Sequence, residues 1–145
     1  MARVVGRAAR GARELAVPTP AAVAGVFAST LAARGLFCDL LAQAPLNLER
    51  HVSLDAVRAF KLVTLEEVDA IVAAVRRLLP ALTERDGVDL IAAATAMSGA
   101  FWQMATPRPE AAALYRSDPQ LAHAVVDVEP RVARLLQAML TGMLA

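Results

Sequence analysis

The chain has 145 residues, of which 57% are hydrophobic and 20% charged, a composition that suits one globular domain and excludes a disordered chain. Lys and Arg number 15 and Asp and Glu 14, so the formal net charge of +1 argues against binding to polyanions through overall charge. The single cysteine, Cys38, excludes an internal disulfide and favours a reducing compartment, the cytoplasm.

Two stretches without formal charge, residues 17–33 and 90–107, raise the question of a membrane span. Pro18 and Pro20 interrupt the first, and the second is mostly alanine with several polar side chains. Both are therefore predicted to be buried helices, and no membrane association is expected. The first 16 residues lack the apolar core of a secretory signal, although their arginine content permits a transit peptide as a less favoured alternative.

Residues 2–16 are predicted to form a helix with one basic face. Its arginines recur at spacings of four, three and three residues: Arg3, Arg7, Arg10 and Arg13. This face is either a stripe that contacts phosphate groups or an ordinary solvated surface. The solvated surface is favoured, because Gly6 and Gly11 weaken the helix and no aromatic side chain is present to stack on bases.

Two helices are predicted next. Thr19 is a suitable N-cap, and Pro20 suits the first turn of a helix that runs towards Gly35. The second helix is predicted over Leu36–Ala44, with Pro45 ending it because proline lacks the backbone N–H that a helix interior needs.

The longest predicted helix is Leu54–Leu79, with Ser53 as its N-cap and Pro80 as its stop. Its adjacent Glu66 and Glu67 could suggest acid–base chemistry. Adjacent helical side chains point about 100° apart, however, so ordinary surface is the favoured interpretation.

The helix predicted over Glu84–Ala105 has three distinct faces. The apolar face consists of Leu90, Ala94, Met97, Phe101 and Met104. The mixed face consists of Ile91, Thr95, Ser98, Trp102 and Ala105. The third face carries small residues, namely Ala92, Ala96 and Gly99. The mixed face suits an adaptable cavity, and the small face lets another helix approach closely. Simple internal packing would explain the same pattern.

The last part of the chain is predicted to hold two short helices between residues 109 and 126, followed by a final helix. Asp127 is the predicted N-cap of that helix, with Pro130 in its first turn. Its apolar face is broad: Val132, Leu135, Leu136, Met139, Leu140 and Met143. Because few elements remain to cover so much apolar surface, a second subunit is a candidate partner.

The sequence contains no phosphate-binding glycine loop, nucleophile elbow or paired-cysteine metal motif, so no catalytic residue, metal site or cofactor is predicted. His51 and His123 have no neighbour at ligand spacing and are interpreted as surface or capping residues, although either could be a base beside a carboxylate. Cys38 is interpreted as a small buried hydrophobe rather than a nucleophile.

Two segments, LFCDLLAQAPLNLERHVSLDAVRAFK and MSGAFWQMATP, resemble the C-terminal domain of tetracycline-repressor-like (TetR family) transcriptional regulators. The most characteristic positions are Asn47–Arg50, Ser53, Phe60–Lys61, Gly99 and Phe101–Gln103, and His51 stands where close relatives are expected to carry Asn. The resemblance implies an all-α bundle of about six to seven helices that dimerises through its last two long helices and encloses a ligand site.

Family members begin with a helix-turn-helix that reads DNA, and this sequence shows no such segment ahead of the resembling region. We expect residues 1–16 to be a remnant of the linker helix and residues 17–145 to form the effector-binding and dimerisation domain. DNA contact is then expected only through the missing helix-turn-helix, so no DNA-contacting residue is carried over from the family.

Helix faces supply the candidate ligand site of this domain. The lining is mostly large and apolar: Phe27, Leu31, Phe37, Asn47, Phe60, Thr64, Met97, Phe101, Trp102 and Met104. Such a lining favours a small hydrophobic effector, uncharged or amphipathic, because a strongly anionic ligand would require a convergent cation, and only Arg58 and Lys61 are near.

A homodimer is predicted with the following interface residues: Ala92, Ala96, Gly99, Val132, Leu135, Leu136, Met139 and Met143. The alternative closest to this prediction is a structural helical dimerisation module that senses no ligand. A membrane-associated helical protein and an enzyme are weaker alternatives, and no sequence motif supports an enzyme.

Overall fold

The computed structural model describes residues 18–145, apart from the side chains of residues 45, 46, 48 and 49. Every regular element in this range is helical: α1 (Pro20–Ala32), α2 (Gly35–His51), α3 (Leu54–Leu78), α4 (Glu84–Ala105), α5 (Pro109–Ser117), a 3₁₀ helix (Pro119–Ala124) and α6 (Val128–Met143). The predicted all-α fold is confirmed. The helix predicted over residues 2–16, its arginine face and the linker boundary at residue 16 lie outside the described residues.

Side-chain caps determine where three of the helices begin. Thr19 Oγ1 and Ser53 Oγ each accept a hydrogen bond from the backbone N–H three residues later, at 3.1 and 3.3 Å, as the sequence predicts. Thr83 and Asp86 form a reciprocal capping box at the start of α4, in which each side chain accepts the other residue's backbone N–H, at 3.1 and 2.8 Å. These local bonds explain why three helix starts could be predicted from the sequence.

Most predicted helix ends agree with the structure. Helix α3 ends at Leu78, with Leu79 as its C-cap, and α4 has the predicted bounds. Two short helices follow, as predicted, and α6 starts after Asp127, although the side chain of Asp127 makes no capping hydrogen bond.

The prediction that Pro45 ends α2 is wrong, because the helix continues through it to His51. Proline removes one hydrogen bond and crowds the preceding turn, at a cost of about 3 kcal/mol, but its fixed φ is itself helical. A helix can therefore pass through a proline when residues on both sides remain helical. Here the chain becomes extended at Val52, which is the C-cap of α2.

The hydrophobic core lies around α4, which packs against α1, α2, α3 and α6. Its fully buried side chains come mainly from α4 and α6: Leu90, Ala94, Val132, Leu136 and Leu140. Three of these lie on α6 at intervals of four residues, and α6 packs extensively against α1. The core therefore covers most of the α6 face that the sequence shows as apolar.

Between Asp39 and Ile71 no described side chain is buried, and we call these residues the unburied segment. It comprises most of α2 and the first two thirds of α3. Several large apolar side chains in it are exposed: Leu40, Val52, Leu54, Phe60, Leu62, Val63 and Leu65. Burial in α3 begins at Val72, which packs against Gly87 of α4, where an added Cβ would lie 2.8 Å from Val72 Cγ1.

In the described part of the chain, no helix taken alone combines the length and the apolar character needed to span a membrane. Helix α1 and the first part of α2, Gly35–Ala44, meet those two criteria only when joined, and they are bent by 90° at the break between them.

Candidate functional site

Six of the ten predicted ligand-site residues pack around the same core. Leu31 is buried within it, and five partly buried side chains pack against it: Phe27, Phe37, Met97, Phe101 and Trp102. These residues come from α1, α2 and α4. The structure thus brings aromatic and methionine side chains of three helices to one apolar region.

Trp102 lies directly on the backbone of α2. A Cβ added at Gly35 would lie 2.3 Å from Trp102 Cζ2, far inside van der Waals contact, so only glycine allows the indole this close. The contact does not depend on unusual backbone geometry, because Gly35 does not have a positive φ. Next to Trp102, Gln103 Nε2 donates a hydrogen bond at 2.5 Å to the Oδ1 atom of Asp39, one turn after Gly35. These contacts join the start of α2 to the end of α4.

Phe101 connects α4 to α6. The guanidinium carbon of Arg131 lies 5.5 Å from the centroid of the Phe101 ring, within the range of a cation–π interaction. Arg131 is partly buried, so its side chain covers one part of the ring. The aromatic region is therefore bordered by a cation on the side of α6.

The other four predicted ligand-site residues are exposed or only partly buried. Phe60 and Met104 are 47% and 49% exposed. Asn47 is exposed and its amide donates to Gln43 Oε1 at 2.9 Å, while the hydroxyl of the partly buried Thr64 donates to the carbonyl of Phe60 at 2.8 Å. Three of the four lie in the unburied segment and Met104 lies in the last turn of α4, which explains their separation from the other six.

Three of the predicted dimer-interface residues are interior to the single chain. Val132 and Leu136 are 0% exposed, because their face of α6 is covered within the subunit. A Cβ on Gly99 would lie 3.1 Å from the backbone nitrogen of Ala42, so this small residue serves the packing of α2 on α4. The prediction that these three residues lie in a dimer interface is therefore corrected, because they pack inside the subunit.

The remaining interface candidates keep accessible surface. Ala92 and Ala96 are exposed on α4, and Leu135 and Met139 are partly exposed on α6. Met143 is partly buried and packs against the core. Ala100, which the sequence analysis did not select, continues the exposed alanine row of α4 one turn beyond Ala96.

A family model described as "Tetracyclin repressor-like, C-terminal domain" matches residues 1–145. The chain belongs to this family. The match confirms the resemblance seen in the sequence, and such domains have a regulatory role in which they typically dimerise and bind small-molecule effectors. A comparison with curated proteins finds no match to the chain.

The described interior of this tetracycline-repressor-like domain contains very few polar side chains. Cys38 is buried, its thiol donates to the carbonyl of Leu31 at 3.3 Å, and burial raises the pKa of the thiol. Among the described side chains, Ser98 is the only other buried one that is polar, and none that is charged is buried. Ser98 lies on the face of α4 that the sequence predicts as mixed, but it is not among the predicted site residues.

The aromatic and methionine side chains around this core offer apolar contact. Within residues 18–145, no group of three or more His, Cys, Asp or Glu side chains is placed to hold a metal ion. A thiol with a raised pKa is a poor nucleophile near neutral pH, because the thiolate is the reactive form. The chemistry of this region is therefore suited to binding.

Proposed function

We propose that this domain senses a small, uncharged and mostly hydrophobic molecule on behalf of a cytoplasmic transcriptional regulator, and that it catalyses no reaction. The observation that carries the proposal is the packing of six predicted ligand-site residues around one core. The absence of buried charge among the described residues supports a neutral ligand, since a charged one would lose its hydration without gaining a buried partner, and the one bordering cation described above, Arg131, already lies over the Phe101 ring. DNA binding is assigned to a separate helix-turn-helix of the kind that family members carry.

The test is a titration with neutral hydrophobic probes, for example cyclohexanol, 1-octanol and toluene, against a charged control such as octanoate. Trp102 is the only tryptophan, so its emission reports on this region alone. A neutral probe that binds should change the emission and raise the melting temperature with probe concentration, because a ligand of the native state stabilises it by mass action. Octanoate should do neither at the same concentration.

Two methionines on α4 form a matched pair of variants. Met97 packs against the core, whereas Met104 is about half exposed and does not. Met97→Ala should weaken binding of the neutral probes several-fold, because it removes apolar contact with the ligand, and Met104→Ala should leave affinity unchanged. If no probe moves either emission or melting temperature, the structural dimerisation module is the better description.

We also propose that the domain forms a homodimer through the exposed faces of α4 and α6. The row Ala92, Ala96 and Ala100 is small and uncharged, and it would let a helix of a second subunit approach closely. Helices α4 and α6 pack against each other within the subunit, which supports a seam built from two helices of each chain.

Ala96→Arg should disrupt this dimer, because a long cation would stand in the row of alanines. Ala73→Arg, which places the same side chain on an exposed position of α3, is the matched control. In sedimentation velocity at micromolar concentration, the native protein and Ala73→Arg should be dimers and Ala96→Arg a monomer. A native protein that sediments as a monomer would refute the dimer, and a dimeric Ala96→Arg would refute this interface.

A further inference from the structure

Ser98 carries a buried hydroxyl that has no partner. The residue is 0% exposed, and among buried side-chain nitrogen and oxygen atoms of residues 18–145 its Oγ is the one that makes no hydrogen bond. Buried polar groups in folded proteins almost always have a partner, because an unpaired one loses its interaction with water and gains nothing. The position of Ser98 therefore requires an explanation.

The usual local solution is not used at Ser98. A hydroxyl within a helix can donate to the carbonyl four residues earlier, and Thr64, Thr95 and Thr141 each do so at 2.8 Å. Ser98 makes no such bond to Ala94. Both its donor and its acceptor capacity are thus available to another molecule.

The neighbours of Ser98 along α4 belong to the apolar region described above. Ala94 lies one turn before it and is fully buried, and Trp102 lies one turn after it, packed on Gly35. The adjacent Gly99 contacts α2 at Leu41 and Ala42. Ser98 therefore lies immediately before the part of α4 that contacts α2 closely, at Gly99 and Trp102.

Among the described residues, Ser98 Oγ is the one fully buried side-chain nitrogen or oxygen atom without a partner. The thiol of Cys38 already donates to the carbonyl of Leu31, and the hydrogen-bonded pair Gln103–Asp39 is exposed. A ligand that enters this region meets one uncommitted hydroxyl in an apolar setting. The matching ligand is apolar apart from one uncharged hydrogen-bonding oxygen.

We propose that Ser98 is the residue that selects the effector, by hydrogen bonding to the single hydroxyl or carbonyl oxygen of an otherwise apolar molecule. This inference rests on the proposed function, because it requires that a ligand enters the core. It adds a chemical class, namely small neutral alcohols, phenols, ketones or esters, and it excludes ions as preferred ligands.

The test compares matched probes in matched variants. Cyclohexanol and methylcyclohexane have nearly the same size and differ only in that one carries a hydroxyl and the other a methyl group. Their affinities are measured by thermal shift and by Trp102 emission. Ser98→Ala removes the buried hydroxyl, and Ser29→Ala makes the same change at an exposed serine of α1. Compared with the native protein and Ser29→Ala, Ser98→Ala should bind the alcohol about tenfold more weakly and should bind methylcyclohexane at least as tightly.

A second measurement separates this role from a structural one. Without ligand, Ser98→Ala should melt at the same temperature as the native protein or higher, because removing an unpaired buried hydroxyl removes an unfavourable group. A clear loss of stability would show that the hydroxyl is bonded within the protein and would overturn the inference.

The remaining outcomes distinguish the inference from the proposed function. If both probes bind and Ser98→Ala binds the alcohol as tightly as the native protein does, or loses affinity equally for both probes, the inference fails and the proposed function stands. If neither these probes nor any other neutral probe binds, both fail.

Discussion

Gly35→Ala and Gly25→Ala make the same chemical change in opposite surroundings. A Cβ at Gly35 would lie 2.3 and 2.4 Å from two atoms of the Trp102 ring, whereas a Cβ at Gly25 meets nothing within 4 Å. Both glycines lie in helices without a positive φ, so the backbone accepts alanine at either position. The difference between the two variants therefore isolates the contact with Trp102.

The magnitude follows from the displacement that the indole must undergo. Ordinary carbon contacts are roughly 3.5–4.0 Å, so the ring edge must move by about 1 Å or more. Overpacking of this kind costs about 1–3 kcal/mol, and replacing glycine by alanine in a helix returns about 0.5–1 kcal/mol. Gly25→Ala should be slightly more stable than the native protein, and Gly35→Ala should melt roughly 3–9 °C below Gly25→Ala.

Fluorescence gives an independent reading of the same event. Gly35→Ala should shift the emission of Trp102 to longer wavelength, because the displaced indole gains contact with water, and Gly25→Ala should leave the emission unchanged. Equal stabilisation by both substitutions, with unchanged emission in both, would refute the packing of Trp102 on Gly35. Melting temperature and emission are measured on the same samples without ligand.

Three further outcomes test the core, the cap and the thiol. Leu136→Ala should lower the free energy of unfolding by about 2–5 kcal/mol in urea titrations, because Leu136 is 0% exposed, whereas Leu65→Ala, at a 57% exposed position, should change it by less than about 1 kcal/mol. Hydrogen bonds from the side chain and backbone of Thr83 lower the pKa of Asp86. The native protein should therefore be more stable than Asp86→Asn above the ordinary pKa of aspartate, and this advantage should vanish as the pH falls through the lowered pKa of the folded state. A difference in melting temperature that does not shrink in acid would contradict this. Burial raises the pKa of Cys38, so a thiol reagent should modify the folded protein far more slowly than the urea-unfolded chain, and equally fast modification would show that Cys38 is accessible.

Helix starts could be predicted from the sequence because their causes are local. Thr19 and Ser53 cap helices through bonds that span three residues, and no distant contact is needed to form them. Pro45 shows the limit of the same reasoning. The cost of a proline is also local, but helix α2 continues on both sides of Pro45 in spite of it. The sequence alone does not show whether the flanking helical turns are stable enough to offset that cost.

The ligand site could be predicted only in part, because periodicity identifies faces and not what covers them. Ala92, Ala96 and Gly99 lie on nearly the same face of α4, yet Gly99 is buried against α2 and the two alanines are exposed. At Gly99, residues 41 and 42 of α2 lie so close that an added Cβ would meet both. Likewise Phe60 has the same chemistry as Phe101, but it lies in a part of α3 that no described element buries.

The uneven burial of α3 divides one continuous helix into parts with different local stability. From Val72 onward it is anchored to α4, so backbone amides there should exchange with solvent deuterium only when the core unfolds. Amides of Leu54–Ala70 should exchange earlier, through partial opening that leaves α1, α4 and α6 intact. A molecule that covered Leu54–Ala70 would slow amide exchange there. Because α3 is one continuous helix, the added order would extend to the part of α3 that packs on α4.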